Sequence, residues 1–276
     1  MFTFKLVLLL VIVPLISAHH KERIIDGQNS DPSSYTYHVA ILKVNGTNGE
    51  IQHICGGAII DRRFVLTAAH CVYDIEREDV IIRAGGNQAP PADKPHLEKR
   101  YFKRVTKIMY PKDYVKDPRY HEYDIALLKI EGTFDLGDRE HFRKLQLPNE
   151  DNDYEEKWAT VSGYGVHEPD QGTLKAEGNG FKSLKTKVIS IDECQTTRTY
   201  ILTAGSLCTL SIQMKGHTCY GDGGNPLVYD NQIIGILNNP STCDDTRPEL
   251  YTKVSEYLSF IKKVFSGKYS SDILYK

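Results

Sequence analysis

The chain has 276 residues, 40% of them hydrophobic and 25% charged, and a formal net charge of −2. That is material for one large or two small cores of ordinary globular composition. The near-neutral balance excludes a general pull toward nucleic acid or an anionic membrane surface. The sequence also lacks Cys-x-x-Cys pairs, phosphate-cradling glycine loops and internal repeats, which sets aside zinc modules, nucleotide enzymes and solenoids.

At the N-terminus Lys5 precedes the apolar run LVLLLVIVPLI, followed by the small residues Ser17 and Ala18. A charged start, a short apolar stretch and a small-residue exit form the pattern of a secretory signal peptide. A bilayer span needs about 20 apolar residues, more than this run offers. Residues 1–18 are expected to be removed, leaving a secreted, extracellular protein with no membrane partner. Six cysteines, Cys55, Cys71, Cys194, Cys208, Cys219 and Cys243, then point to disulfides, although six allow many connectivities. Asn45-Gly46-Thr47 is an N-glycosylation triplet in a Gly/Asn-rich turn.

Short alternating or β-branched runs follow at 37–44, 57–60, 64–68, 80–84, 125–130, 158–162, 227–229 and 233–237, separated by turn residues. Such spacing predicts an all-β barrel or sandwich. The stretch KPHLEKRYFKRVTK, 94–107, holds six Lys/Arg against one Glu. It reads as an exposed strand face, with Tyr101 and Phe102 alternating between core and rim. The stretch PNEDNDYEEKW, 148–158, carries five carboxylates and reads as a solvated linker near 144–157. One helix is predicted: Val254, Tyr257, Leu258, Ile261, Val264 and Phe265 recur at helical spacing. Ser255 is its expected cap, and its apolar stripe is expected to dock on the protein's own body. Residues 267–276 are expected to form a flexible tail.

Four motifs stand in one order: RIIDG at 23–27, LTAAHC at 66–71, DIALLKI at 124–130 and GDGGNP at 221–226. Together they resemble the trypsin-like, chymotrypsin-fold serine proteases, over residues 24 to about 265. The resemblance implies two six-stranded antiparallel β-barrels with a cleft between them and a C-terminal α-helix, over residues 24–266. It implies the pairings Cys55–Cys71, Cys194–Cys208 and Cys219–Cys243. It implies a short propeptide, 19–23, cleaved after Arg23 so that the new amine of Ile24 pairs with Asp222. In that chemistry His70 matches the base, Asp124 its orienter, the Gly221 and Gly223 N–H groups the oxyanion donors, and Gly223 the nucleophile position.

A glycine supplies no oxygen. Loss of a triad nucleophile costs about 10⁶-fold in turnover. The nearest serines, Ser211 and Ser241, match no position that points at the base. The surrounding cleft departs as well. His217 matches the base of the specificity pocket, and Glu249 matches a wall position from which its side chain is expected to enter the pocket and pair with His217. Asn238-Asn239-Pro240 matches the segment that pairs with substrate backbone; Asn239 replaces an aromatic floor, and Pro240 has no N–H to offer.

The chain therefore resembles the catalytically inactive serine protease homologues that arthropods secrete, including inactivated paralogues of parasites. That implies a protein-binding decoy, inhibitor or cofactor in a proteolytic cascade such as host complement or innate immunity. The alternative is an active, digestive trypsin-like endopeptidase, which needs an oxygen at 223 and an open pocket. The expected partner is an extracellular protein, with a basic exosite around Lys99, Arg100, Lys103 and Arg104. A monomer without cofactor is expected. So is the absence of metal, because the first ligand position of the family's calcium loop falls on Gly86.

Overall fold

The computed structural model describes residues 24, 27–46, 49–86, 98–117, 122–150, 152–164, 181–211, 216–219, 221–238, 247–267, 269 and 271–276. The expected signal peptide, the pro-segment with Arg23, Thr47 of the glycosylation triplet, residues 94–97 of the basic stretch, Asn239, Pro240 and Cys243 lie outside them.

Fourteen strands are described: β1 (Gln28–Asn29), β2 (His38–Val44), β3 (Ile51–Asp61), β4 (Phe64–Thr67), β5 (Val80–Ala84), β6 (Phe102–Pro111), β7 (Ala126–Ile130), β8 (Trp158–Gly163), β9 (Lys182–Ile189), β10 (Ser206–Ser211), β11 (Pro226–Tyr229), β12 (Gln232–Leu237), β13 (Glu249–Lys253) and β14 (Ile273–Tyr275). They pair as β6-β5-β2-β3-β4-β7, closed by β6 against β7, and as β9-β10-β13-β12-β11-β8, closed by β8 against β9. The result is two closed six-stranded antiparallel barrels. Closure leaves the barrel strands no free edge. Two short strands add outside the rings, β1 on β9 and β14 on β6.

The strands form where side chains alternate. In β5 the residues of VIIRA are in turn buried and half-buried, so Val80, Ile82 and Ala84 face inward. The first barrel closes over Ile41, Ile59, Leu66, Ile82, Ile108 and Leu128. The second closes over Val161, Leu227, Ile234 and Tyr251. The acidic segment between β7 and β8 is held to the second barrel: the buried Tyr154 donates to Gln232 Oε1 at 3.2 Å, its ring lies 6.0 Å from that of Tyr229, and the Glu156 N–H donates to the Val188 carbonyl at 2.9 Å.

Several expectations change. Helix α1 (Ile191–Gln195) was not predicted; at five residues it is too short to show a period. Its Ser190 Oγ accepts from the Glu193 N–H at 3.1 Å, a capping arrangement. The C-terminal helix α2 (Leu258–Phe265) follows a 3-10 turn over Val254–Tyr257, so Ser255 lies inside that turn and is not the cap. The helical stripe does dock on the body: Leu258, Ile261 and Val264 join the first barrel's core, and Phe265 lies 5.1 Å from Phe64. Tyr101 and Phe102 do not alternate; both are buried, because Tyr101 precedes β6 and turns onto Phe142.

The tail is not loose. Ile273 pairs with Pro111 and Tyr275 with Met109, and Lys276 and Ile108 exchange backbone hydrogen bonds of 2.9 and 3.1 Å. The β-branched and aromatic content of Ile-Leu-Tyr suits a strand, and Ile273 is buried. Among the described residues no helix is long and apolar enough to cross a membrane.

Candidate functional site

His70 sits in the 3-10 turn Ala69–Cys71 that follows β4. The Cys55–Cys71 disulfide ties that turn to β3. Asp124 is buried just before β7. One carboxylate oxygen accepts from the His70 backbone N–H at 2.8 Å, and the other meets His70 Nδ1 at 2.7 Å. An ionised carboxylate only accepts, so Nδ1 carries the proton and Nε2 is turned away from Asp124.

The facing loop belongs to the second barrel. Asp222 N–H donates to the Cys219 carbonyl at 3.0 Å, Asn225 N–H to the Asp222 carbonyl at 3.1 Å, and Gly224 N–H to the Leu237 carbonyl at 2.8 Å. Gly56 N–H, from β3 of the first barrel, donates to the Gly223 carbonyl at 2.9 Å. These bonds pin Gly223 opposite His70. A Cβ placed ideally on Gly223 would stand 2.5 Å from His70 Nε2 and 3.1 Å from Cε1, closer than such atoms approach. The imidazole thus occupies space that a side chain at 223 would need. Its Nε2 lies 3.5 Å from Cys71 Sγ and 3.8 Å from Cys55 Sγ. Gly221, at φ 82°, presents its carbonyl to His53 Nε2 at 3.0 Å.

Beside the loop, Glu249 opens β13 and is half-buried. Its Oε1 accepts from the Thr218 N–H at 2.6 Å. Burial pushes its carboxyl above the usual carboxylate range; the Thr218 bonds and the nearby His217 and Arg198 act in the opposite direction. The Thr218 backbone thus supplies a hydrogen bond, and His217 also acts on the carboxylate electrostatically. Asn238 is buried; its Oδ1 lies 3.1 Å from Thr252 Oγ1, which stands 3.0 Å from the Asp124 carbonyl. Its own N–H donates to the Leu250 carbonyl at 3.0 Å, so both groups are turned inward.

Ile24 is fully buried in the second barrel's core, and its carbonyl accepts from the Gly27 N–H at 2.8 Å. Cys194–Cys208 is bonded as the resemblance implied. Cys219 is disulfide-bonded too, while its expected partner Cys243 lies outside the described residues. Among the described residues the one metal-like group is Cys55, His70 and Cys71, but its two sulfurs share a disulfide and offer no thiolate. Asn45 is exposed where β2 ends. In the basic stretch Lys99 and Arg104 are exposed, Arg100 forms an ion pair with Asp138, and Lys103 is half-buried, which lowers its ammonium's pKa.

Two residues escaped the sequence reading. Asn225 Nδ2 donates to Asp222 Oδ1 at 3.0 Å, and Asn225 Oδ1 meets His38 Nε2 at 2.9 Å. All three side chains are buried. The only trace in the sequence is an asparagine inside a glycine-rich loop, directly before Pro226.

The sequence model of the family described as Trypsin matches residues 24–261. Kallikrein-8 of Mus musculus is 28% identical over 248 residues, covering 89% of this chain and 88% of its own. Trypsin of Phaedon cochleariae is 27% identical over 268 residues, covering 91% of each chain. Among solved structures, the scabies mite inactivated protease paralogue S-I1 is similar with a TM-score of 0.68 at 26% identity, over 88% of this chain and 99% of its own.

Proposed function

The chain belongs to the trypsin family, and we propose that within it this protein is a secreted, non-catalytic homologue that works by recognising an extracellular protein. The observation that carries this reading is position 223. It supplies no oxygen, and the space of its absent side chain is taken by the His70 ring, 2.5 Å from the Cβ site. Without a hydroxyl, His70 has no proton to accept and no acyl-enzyme can form. Removal of a triad nucleophile costs about 10⁶-fold, far more than drift in neighbouring contacts restores.

Other features support the reading. Glu249, bonded to the Thr218 N–H, stands where the resemblance places the wall of the specificity pocket. The similar scabies mite protein is itself described as an inactivated protease paralogue. The leader-like N-terminus and the disulfides fit secretion, and the exposed Asn45 fits a glycan there. Recognition of a protease, inhibitor or cascade component then makes the protein a decoy, inhibitor or cofactor, as in complement or innate immunity. Lys99 and Arg104 supply the free basic charge of its rim, since Arg100 is spent on Asp138.

Purified protein beginning at Ile24 tests this directly. With a fluorophosphonate probe and a mixed peptide library, no labelling and no turnover are expected. Multiple-turnover hydrolysis that disappears in His70→Ala would overturn the proposal and restore the digestive endopeptidase.

A further inference from the structure

The His70–Asp124 pair has no hydroxyl to serve, but it has a reactive neighbour. With Nδ1 protonated toward Asp124 at 2.7 Å, Nε2 carries the ring's lone pair. Cys71 Sγ lies 3.5 Å from that nitrogen and Cys55 Sγ 3.8 Å, and these two sulfurs form the disulfide between the His70 turn and β3. The loop of the second barrel closes over the same spot. A Cβ on Gly223 would stand 2.5 Å from Nε2 and 3.6 Å from Cys55 Sγ, and one on Gly224 would stand 3.2 Å from Cys71 Sγ. Two successive glycines thus let main chain, ring and disulfide meet. Around the carboxylate, burial raises the hydroxyls of Tyr114 and Tyr257 above their ordinary range, so both stay neutral. Asp124 supplies the negative charge that favours an imidazolium.

The Cys194–Cys208 bond is a built-in contrast. Its sequence separation is 14 against 16 for Cys55–Cys71, and both of its cysteines are fully buried in a cluster with Ile189, Leu202 and Leu250. Cys55 and Cys71 keep 4% and 5% of their surface, and the His70 side chain beside them keeps 18%. A disulfide opens when a thiolate attacks one sulfur and the other leaves. The leaving sulfur departs faster the better its negative charge is stabilised. An imidazolium beside a sulfur stabilises that charge.

We propose that Cys55–Cys71 is a redox-active disulfide opened by an external dithiol, with His70 as its acid–base group and Asp124 as the residue that positions the ring. The incoming thiol gives its proton to water, and Nε2 takes one up from water. The resulting thiolate attacks Cys55 Sγ. A new S–S bond forms, the Cys55–Cys71 bond breaks, and its electron pair leaves on Cys71 Sγ, the sulfur nearer the imidazolium, which returns the proton to it. The dithiol's second thiol, losing its own proton, closes on its partner sulfur in the mixed disulfide. Cys55 leaves and takes up that proton. The dithiol is oxidised to a disulfide and the protein gains two thiols. The retained pair thus acquires a chemistry that needs no oxygen at 223.

The experiment treats the folded, oxidised protein with dithiothreitol, traps free thiols with iodoacetamide at intervals and assigns them by peptide mass spectrometry. Cys55–Cys71 should open at least about tenfold faster than Cys194–Cys208. His70→Gln keeps a polar side chain of similar bulk without the titrating ring. It should slow the first bond at least about tenfold and leave the second within about twofold of wild type. Rates divided by the concentration of dithiothreitol thiolate should rise for Cys55–Cys71 as pH falls from about 8 to 6 in wild type, and stay flat in His70→Gln. If both bonds of wild type open together, they yield only to unfolding of the chain and the proposal is overturned. A flat wild-type profile overturns it too, and neither of these arms needs a variant to fold. Unchanged opening in His70→Gln would remove the ring from the chemistry. No readout involves peptide hydrolysis, so the non-catalytic reading above stands or falls separately.

Discussion

The two walls of the cleft are built differently. On the first barrel's side, Asp124 still holds His70 by its backbone N–H and its ring, at 2.8 and 2.7 Å. On the second barrel's side, Gly223 faces that ring without a side chain, Glu249 is drawn to Thr218 and Asn225 is tied to Asp222. The difference shows which groups have work besides catalysis. Asp124 satisfies a main-chain donor as well as a ring, so removing it leaves a buried N–H stranded.

The contrast can be broken most forcefully through acid. Burial holds His38 down at about 4, against an ordinary 6.5, with its bond to Asn225 acting in the opposite direction. The folded state therefore binds fewer protons than the unfolded one. His38's share of stability is present above the unfolded value and is lost as pH falls from about 6.5 toward 4, on the order of 3 kcal/mol. Urea midpoints across pH 7 to 4.5 should fall in wild type and fall less in His38→Gln. Equal slopes would mean that the interface side chains do not sense acid.

A smaller effect separates the two retained residues. Asp124→Ala should cost about 2 kcal/mol, because it orphans the His70 N–H, whereas His70→Ala should cost about 1 kcal/mol or less. Chemical denaturation measures both. If His70→Ala proved the more harmful, retention of the pair would trace to the ring and not to the carboxylate. The smallest change is expected from the most tempting repair. Gly223→Ser should destabilise by about 1 kcal/mol, since the new Cβ must push His70 aside, and should restore almost no peptide hydrolysis. Adding Glu249→Gly should raise turnover above that single variant. Full activity from Gly223→Ser alone would show that the opposite wall had never closed.

Much of this was legible in the chain itself. Residues 80–84 were predicted as a strand and are one, because Val80, Ile82 and Ala84 fall on one face of it. The motifs placed His70, Asp124 and Gly223 together, since short-range patterns carry the resemblance. The missed strands β9, β10 and β13 carry lysine, serine and threonine among their apolar residues; their identity comes from pairing partners, not from local pattern. The contact between His38 and Asn225 was invisible for a related reason. His38 and Asn225 lie 187 positions apart, and a lone asparagine says nothing until the barrels meet. Glu249 accepts from the Thr218 N–H, and a backbone donor leaves no mark in a list of side chains.

The clasp of β14 on β6 has a practical corollary. The final lysine is not a free handle: its main chain is bonded to Ile108, and its Nζ reaches the Tyr73 carbonyl at 2.6 Å. Deleting Ile273–Lys276 would strip these bonds from β6 and expose its outer side on the first barrel.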